Sequence, residues 1–320
     1  MLLFSRTRTA ATARWLIAHL SLLFCMQHVE FFHIPHFEHR YHRVYAQGPL
    51  AQFIDFFWET DFDSLWDAYP DGFSDALFPN IGYTYLINLG TPFVMQLEDD
   101  LYPVKGDGFL PRNKAMICHH TAGNKIFGIK FKVSPVLFQK KVNFREYREY
   151  IFPLAYLIDR NVVEDIKAAP HFAQRVRIIA AYYQHIIEQH SGTLQAVSVV
   201  TSVLEQCSRT NNFDVPIEDL AAQHQISSRT LQRYFERATG TSSKQALQLL
   251  RIRKAVERLV SNGAQFSWRQ FGYYDYSHFY KHLTGFLTHQ HIQLQQPHLK
   301  LLQGVDDRQL TIDDRHQTTI

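Results

Sequence analysis

Between about Gly48 and Val133 the apolar positions come in short runs broken by turn residues. These include YTYLINL from Tyr83 to Leu89, FVMQL from Phe93 to Leu97 and KIFGIKFKV from Lys125 to Val133. Runs of this length, rich in aromatic and β-branched side chains, predict strands. In the third, Phe127, Ile129, Phe131 and Val133 alternate with Ile126, Gly128, Lys130 and Lys132. Successive strand residues point to opposite faces, so one face is expected to be apolar and the other thinner or basic. Gly90, Thr91 and Pro92 separate the first two runs in the manner of a hairpin connection.

After Pro135 the apolar period lengthens. Phe172, Val176, Ile179, Tyr183 and Ile186 recur every three or four residues, which predicts an amphipathic helix ending near Gly192. A further helix is expected from Leu194 to Cys207, and the polar stretch SRTNNFDV, Ser208 to Val215, has linker composition. Pro216 suits a first helical position, and Glu218 and Asp219 complement the dipole of a short helix whose inner face is Ile217, Leu220 and Ala221. A sharp connection through Gln225 and Ile226 leads to Ser227, a good N-cap for SRTLQRYFERA. That helix buries Leu231 and Phe235 and ends at Thr239-Gly240. A long helix is expected from Ser243 to Val260, with Leu247, Leu250, Val256 and Leu259 inward and Arg251, Arg253, Lys254 and Arg258 outward. The order of elements is that of an α+β protein. Residues 1–47 are expected to form an irregular leader, 48–135 a β-rich domain, 136–210 a helical connector, 211–300 an all-α domain and 301–320 a tail.

Composition sharpens this picture in places. A chain of 320 residues, 46% apolar and 20% charged, has material for about two globular domains. No repeat of solenoid period is visible. Its formal charge of +3 is too small to mark a nucleic-acid binder as a whole. Cys25, Cys118 and Cys207 are odd in number and without CxxC spacing, so neither a disulfide framework nor a zinc ribbon is indicated, and a reducing, cytoplasmic setting fits. Arg6, Arg8 and Arg14 precede an apolar run from Trp15 to Met26 that has the look of a signal peptide's first two regions. The run is too short to span a bilayer and lacks a small-x-small cleavage site, so no membrane role is expected. It reads as a non-structural leader, with Met26 an alternative start.

The candidate chemistry lies at the C-terminal end. A short helix, a tight turn and a second helix displaying Arg229, Thr230, Gln232, Arg233 and Arg237 is the arrangement that major-groove readout uses. Arginine bonds guanine bidentately and glutamine bonds adenine, while surrounding basic side chains hold phosphates, here Arg237, Arg251 and Lys254. Between Ile217 and Lys300 basic residues outnumber acidic ones about two to one, a bias that the whole-chain charge hides.

The residues themselves carry a resemblance. DLAAQHQISSRTLQRYFERATGTSSKQAL, Asp219 to Leu247, resembles the first helix-turn-helix of the AraC/XylS family of transcription regulators, including its S-x-x-x-L-Q-R-x-F-x-x-x-x-G core. GYYDYSHFYKHL, Gly272 to Leu283, is similar to the start of the family's second unit. Together the two cover about the last third of the chain. The resemblance implies a sequence-specific DNA-binding regulator, not an enzyme, with no cofactor or metal. Its two helix-turn-helix units are joined by a long helix and follow a β-rich, cupin-like domain. Base reading would fall to Arg229, Gln232 and Arg233 in the first unit and to Tyr276, Ser277, His278, Tyr280 and Lys281 in the second. The implied partners are double-stranded promoter DNA, a small-molecule effector or dimer contact at the β domain, and RNA polymerase.

This sequence departs from the family's pattern in three ways. Gln225 stands where a turn glycine is usual, and a left-handed backbone there would cost glutamine about 1 kcal/mol relative to glycine. Only Arg269, Gln270 and Phe271 separate Trp268 from Gly272, about one helical turn less than usual, so the second unit is expected to be reduced and to contact phosphates. His289 stands where proline is common.

Two other readings compete. One is a cupin-like metalloenzyme fused to a DNA-binding domain. His28, His33, His36, His39, His42 and the pair His119-His120 are the imidazoles it could draw on, but no spaced triad, nucleophile motif or phosphate loop accompanies them. Adjacent strand residues face opposite ways, so His119 and His120 are not expected to share an ion. The other is a helical scaffold or adaptor, which would show aromatic anchors where this helix shows Arg and Gln. Phe56, Phe57, Trp58, Trp66, Tyr69, Phe73, Tyr83 and Tyr85 would line an apolar pocket or, more commonly for aromatics, form core.

Overall fold

The computed structural model describes residues 39–67, 69–104, 106–134, 151–190, 194–262 and 265–287. The sequence expectations for residues 1–38, for Gly192 and His289 and for the 301–320 tail lie outside these.

Among the described residues ten antiparallel strands form two sheets. The first sheet runs β1 (Tyr41–Tyr45), β2 (Ile54–Asp61), β9 (Lys125–Phe131), β4 (Tyr83–Asn88), β7 (Gly108–Pro111), β10 (Phe152–Pro153). The second runs β3 (Phe73–Leu77), β8 (Met116–His120), β5 (Phe93–Leu97), β6 (Asp100–Val104). Two expectations are corrected here. Residues 41–45, placed in an irregular leader, are a strand paired with β2 from Tyr41↔Thr60 to Tyr45↔Phe56. Gly90-Thr91-Pro92 is not a hairpin: β4 and β5 belong to different sheets, so the chain crosses between layers there.

The sheets face each other across one apolar cluster, with Phe56, Trp58, Leu86 and Ile126 from the first layer and Phe73, Phe93, Met95 and Cys118 from the second. The thinner face of β9 is therefore covered. Gly128 lies opposite Trp58, and a Cβ there would enter the indole ring, so glycine is what lets the tryptophan fill the layer. Lys130 is buried and donates to the carbonyls of Ile81 and Phe131. The outer face of the first sheet carries Phe57, Tyr85, Ile87, Phe127, Ile129 and Phe131 and packs on helices. This double coverage explains why every residue of β4 is buried.

The helices are α1 (Arg160–Ala168), α2 (Phe172–Gln189), α3 (Gln195–Thr210), α4 (Ile217–Gln223), α5 (Ser228–Thr239), α6 (Ser243–Asn262) and α7 (Tyr276–Leu287). Helix α2 lies on the first sheet, where Arg175 Nη1 meets Glu59 Oε2 at 2.8 Å, both side chains buried. Helix α3 buries Val197, Val200, Val203 and Cys207 and packs against α5 and α6. The apolar core thus continues from the outer face of the first sheet through α3 into the C-terminal helices. No helix among the described residues is long and apolar enough to cross a membrane.

Candidate nucleic-acid interface

Helices α4 and α5 form the expected pair. Leu220 and Ala221 of α4 are buried against Leu231, Phe235 and Ala238 of α5. Pro216 is the N-cap of α4 and not its first residue. Between the helices Gln225 has φ 55°, the left-handed backbone that glycine would adopt without strain. Ser227 caps α5 as expected: its Oγ accepts from the Thr230 N–H at 3.1 Å and donates to Thr230 Oγ1 at 3.0 Å. Gly240, left-handed at φ 77°, ends the helix.

Arg229, Arg233 and Arg237 are all exposed and lie four residues apart, which places three guanidinium groups along one side of α5. Thr230 is half-buried and tied to the cap. Gln232, expected to read bases, has its amide engaged within the protein. Its Oε1 accepts from Ser243 Oγ at 2.8 Å and from the Ser243 N–H at 3.2 Å, and its Nε2 donates to Glu236 at 2.9 Å. The side chain therefore serves the start of α6, where Ser242 and Gln245 also cap each other reciprocally.

Helix α6 corrects a second expectation. Arg251 and Arg253 are 6% and 4% exposed, not outward phosphate contacts. The helix threads between the two units and the β domain, and each arginine finds a partner there: Asp214 for Arg251, the Pro79 carbonyl for Arg253. Lys254 is half-buried and paired with Glu257 at 3.4 Å, while Arg258 is exposed. Lys244, which sequence reasoning passed over, is exposed in the first turn of α6.

The second unit is reduced, as its spacing implied. Its leading element is a single 3-10 turn, Trp268–Phe271, followed by left-handed Gly272. Asp275 caps α7 by accepting from the His278 N–H at 2.6 Å. On α7, Ser277, His278 and Lys281 are exposed. Tyr276 and Tyr280 are half-buried, their rings stacked at 5.8 Å, and both pack against the core, so they act chiefly as packing. His278 and His282 lie edge to face at 4.5 Å. Burial lowers the pKa of His282, reinforced by His278, Arg251 and Lys281. Tyr274, 91% exposed in the turn before α7, went unnoticed in the sequence.

In the β domain, six of the eight candidate pocket aromatics are core; only Trp66 and Tyr69 are partly open. His119 bonds Ser74 Oγ at 2.7 Å and Gln96 Oε1 at 3.1 Å, whereas His120 bonds Asn124 Oδ1 at 2.7 Å and packs against Phe62 and Phe73. The two imidazoles therefore have separate surroundings. No group of three or more His, Cys, Asp or Glu among the described residues is placed to hold a metal ion. An open cleft of about 440 Å³ lies between the β domain and α3, lined by Gln52, Lys132, Ser198, Thr201, Glu205 and Arg209 among others. Its lining is polar, unlike the apolar pocket the aromatics suggested.

No family model matches the sequence, and no curated protein matches it. The chain is similar in structure to ToxT of Vibrio cholerae. Against ToxT from strain O395 the identity is 11% and the TM-score 0.40, covering 73% of this chain and 95% of that one. For the unsaturated fatty acid-bound ToxT from strain SCE256 the values are 11% and 0.39, over 67% and 87%. A further ToxT crystal form gives 9% and 0.39, over 77% and 94%.

Proposed function

We infer that this chain is a DNA-binding transcription regulator of the AraC type, reading promoter DNA through α5. The observation that carries this reading is the exposed row Arg229, Arg233 and Arg237 on a capped helix that follows a short helix and a left-handed turn. Such a helix presents guanidinium groups at the depth and spacing of base edges and flanking phosphates in the major groove. In this reading Arg229 and Arg233 contact bases and Arg237 and Lys244 hold phosphates. Ser277, His278 and Lys281 on α7 meet an adjoining groove or backbone. The β domain supplies control, through a small-molecule effector or a second copy of the chain, by shifting the population of the binding-competent state. A DNA target places the protein in the cytoplasm.

Enrichment from a randomised duplex library at fixed moderate salt tests this, comparing the wild type with Arg233→Ala. A shared motif that is lost or relaxed at one or two positions in the variant is the expected result. Binding that enriches no motif and vanishes as salt is raised would refute base reading.

A further inference from the structure

The first unit seats its reading helix on a two-turn helix, α4, but among the described residues the second has only the 3-10 turn Trp268–Phe271 directly ahead of α7. Another element must hold α7 in place. Tyr273, 3% exposed, lies against α7, with its ring 5.3 Å from that of Phe279 and 5.6 Å from that of His282. Its hydroxyl is 3.4 Å from His282 Nδ1. The guanidinium of Arg251 sits over the Tyr273 ring, Cζ 3.9 Å from the centroid. The same guanidinium meets Asp214 Oδ1 at 2.9 Å, in the segment leading into α4. Gly272, left-handed at φ 73°, lies so close that a Cβ would run into the Asp214 carboxylate.

One line of contacts therefore joins the entry of the first unit, the middle of the long helix and the turn of the second. A cation desolvated against an aromatic face and paired with a carboxylate tolerates little displacement of any of the three groups. We propose that Asp214, Arg251 and Tyr273 are positioning residues that fix α7 relative to α5, in place of the helix the second unit lacks. The consequence for DNA, though not the brace itself, rests on the function proposed above: the brace sets the separation at which the two reading helices meet their grooves.

The distance between spin labels at positions 233 and 281 tests it, in the full chain with Cys25, Cys118 and Cys207 replaced by alanine and without DNA. The unbraced variants Asp214→Asn and Tyr273→Leu should broaden the distance distribution at least twofold, while Tyr273→Phe, which keeps the ring beneath Arg251, should leave it narrow. Circular dichroism on each variant separates loss of fold from loss of position. Asp214, whose side chain is 55% exposed, supplies the variant that decides should Tyr273→Leu unfold. Distributions as narrow in both unbraced variants as in the parent would overturn the brace. In the duplex-library assay Asp214→Asn should relax one part of the enriched motif and retain the other. A parent that enriches no motif, yet whose distances broaden as stated, keeps the brace and refutes the DNA reading.

Discussion

Arg112 and Arg253 donate to the consecutive carbonyls of Phe78 and Pro79. From within the β domain Arg112 Nη2 donates to Phe78 O at 2.8 Å, and from α6 Arg253 Nη1 donates to Pro79 O at 2.8 Å. Between them the Phe78 ring stacks on Phe286 of α7 at 5.3 Å. Ser134 at the end of the β domain donates its N–H to Ala238 O of α5 at 2.8 Å. The β domain thus touches both α5 and α7, and a change within it has a short mechanical route to them.

Removing the helical half of that pair should loosen the junction. A hydrogen bond from a charged donor contributes about 1.5–3 kcal/mol, so Arg253→Ala is expected to destabilise the chain by about 2 kcal/mol. Urea unfolding checks this. An unchanged midpoint would mean that the Pro79 carbonyl is equally well served without the arginine.

The turn between α4 and α5 offers a gain. Gln225 at φ 55° bears the steric cost of a left-handed residue with a side chain, about 1–2 kcal/mol. Gln225→Gly should therefore raise stability by about 1 kcal/mol, less the greater chain entropy of glycine when unfolded. A lower thermal midpoint in the variant would show that the glutamine side chain contributes more than its backbone costs.

That turn, its cap and the shortened second unit were legible in the sequence because they are local: periodicity, cap chemistry and residue spacing determine them within a few positions. The partners of Arg251 and Arg253 were not. Helical periodicity reports how many apolar positions a helix has, but an arginine with a carboxylate, ring or carbonyl to meet goes inside as well. Asp214 and Pro79 lie 37 and 174 residues away in sequence. The layer switch between β4 and β5 escaped notice for the same reason, since Gly90-Thr91-Pro92 fits a hairpin and a crossover equally well and only distant pairing decides.

Gln232 separates support from readout. With its amide bonded to Ser243 and Glu236, Gln232→Ala should cost about 1 kcal/mol of stability by uncapping α6. The base preference of the enriched motif should be retained. Loss of preference for a single base, with stability unchanged, would return the residue to the reading face.

Acid should weaken the second unit through His282. Its pKa in the fold is lowered from 6.5, first by burial and then by His278, Arg251 and Lys281, so the folded state favours the neutral ring. Below pH 6.5 the unfolded chain takes up this proton before the folded one does. The unfolded state then binds more protons, and stability falls as pH drops from 6.5 through the lowered value. Above 6.5 both states are neutral at this site and the contribution is flat. Unfolding free energies measured between pH 5 and 8 for the wild type and His282→Gln should therefore differ in slope only on the acid side, with the variant the flatter of the two. Parallel curves across the whole range would mean that His282 titrates alike in both states and that its place beside Tyr273 does not exclude the charged form.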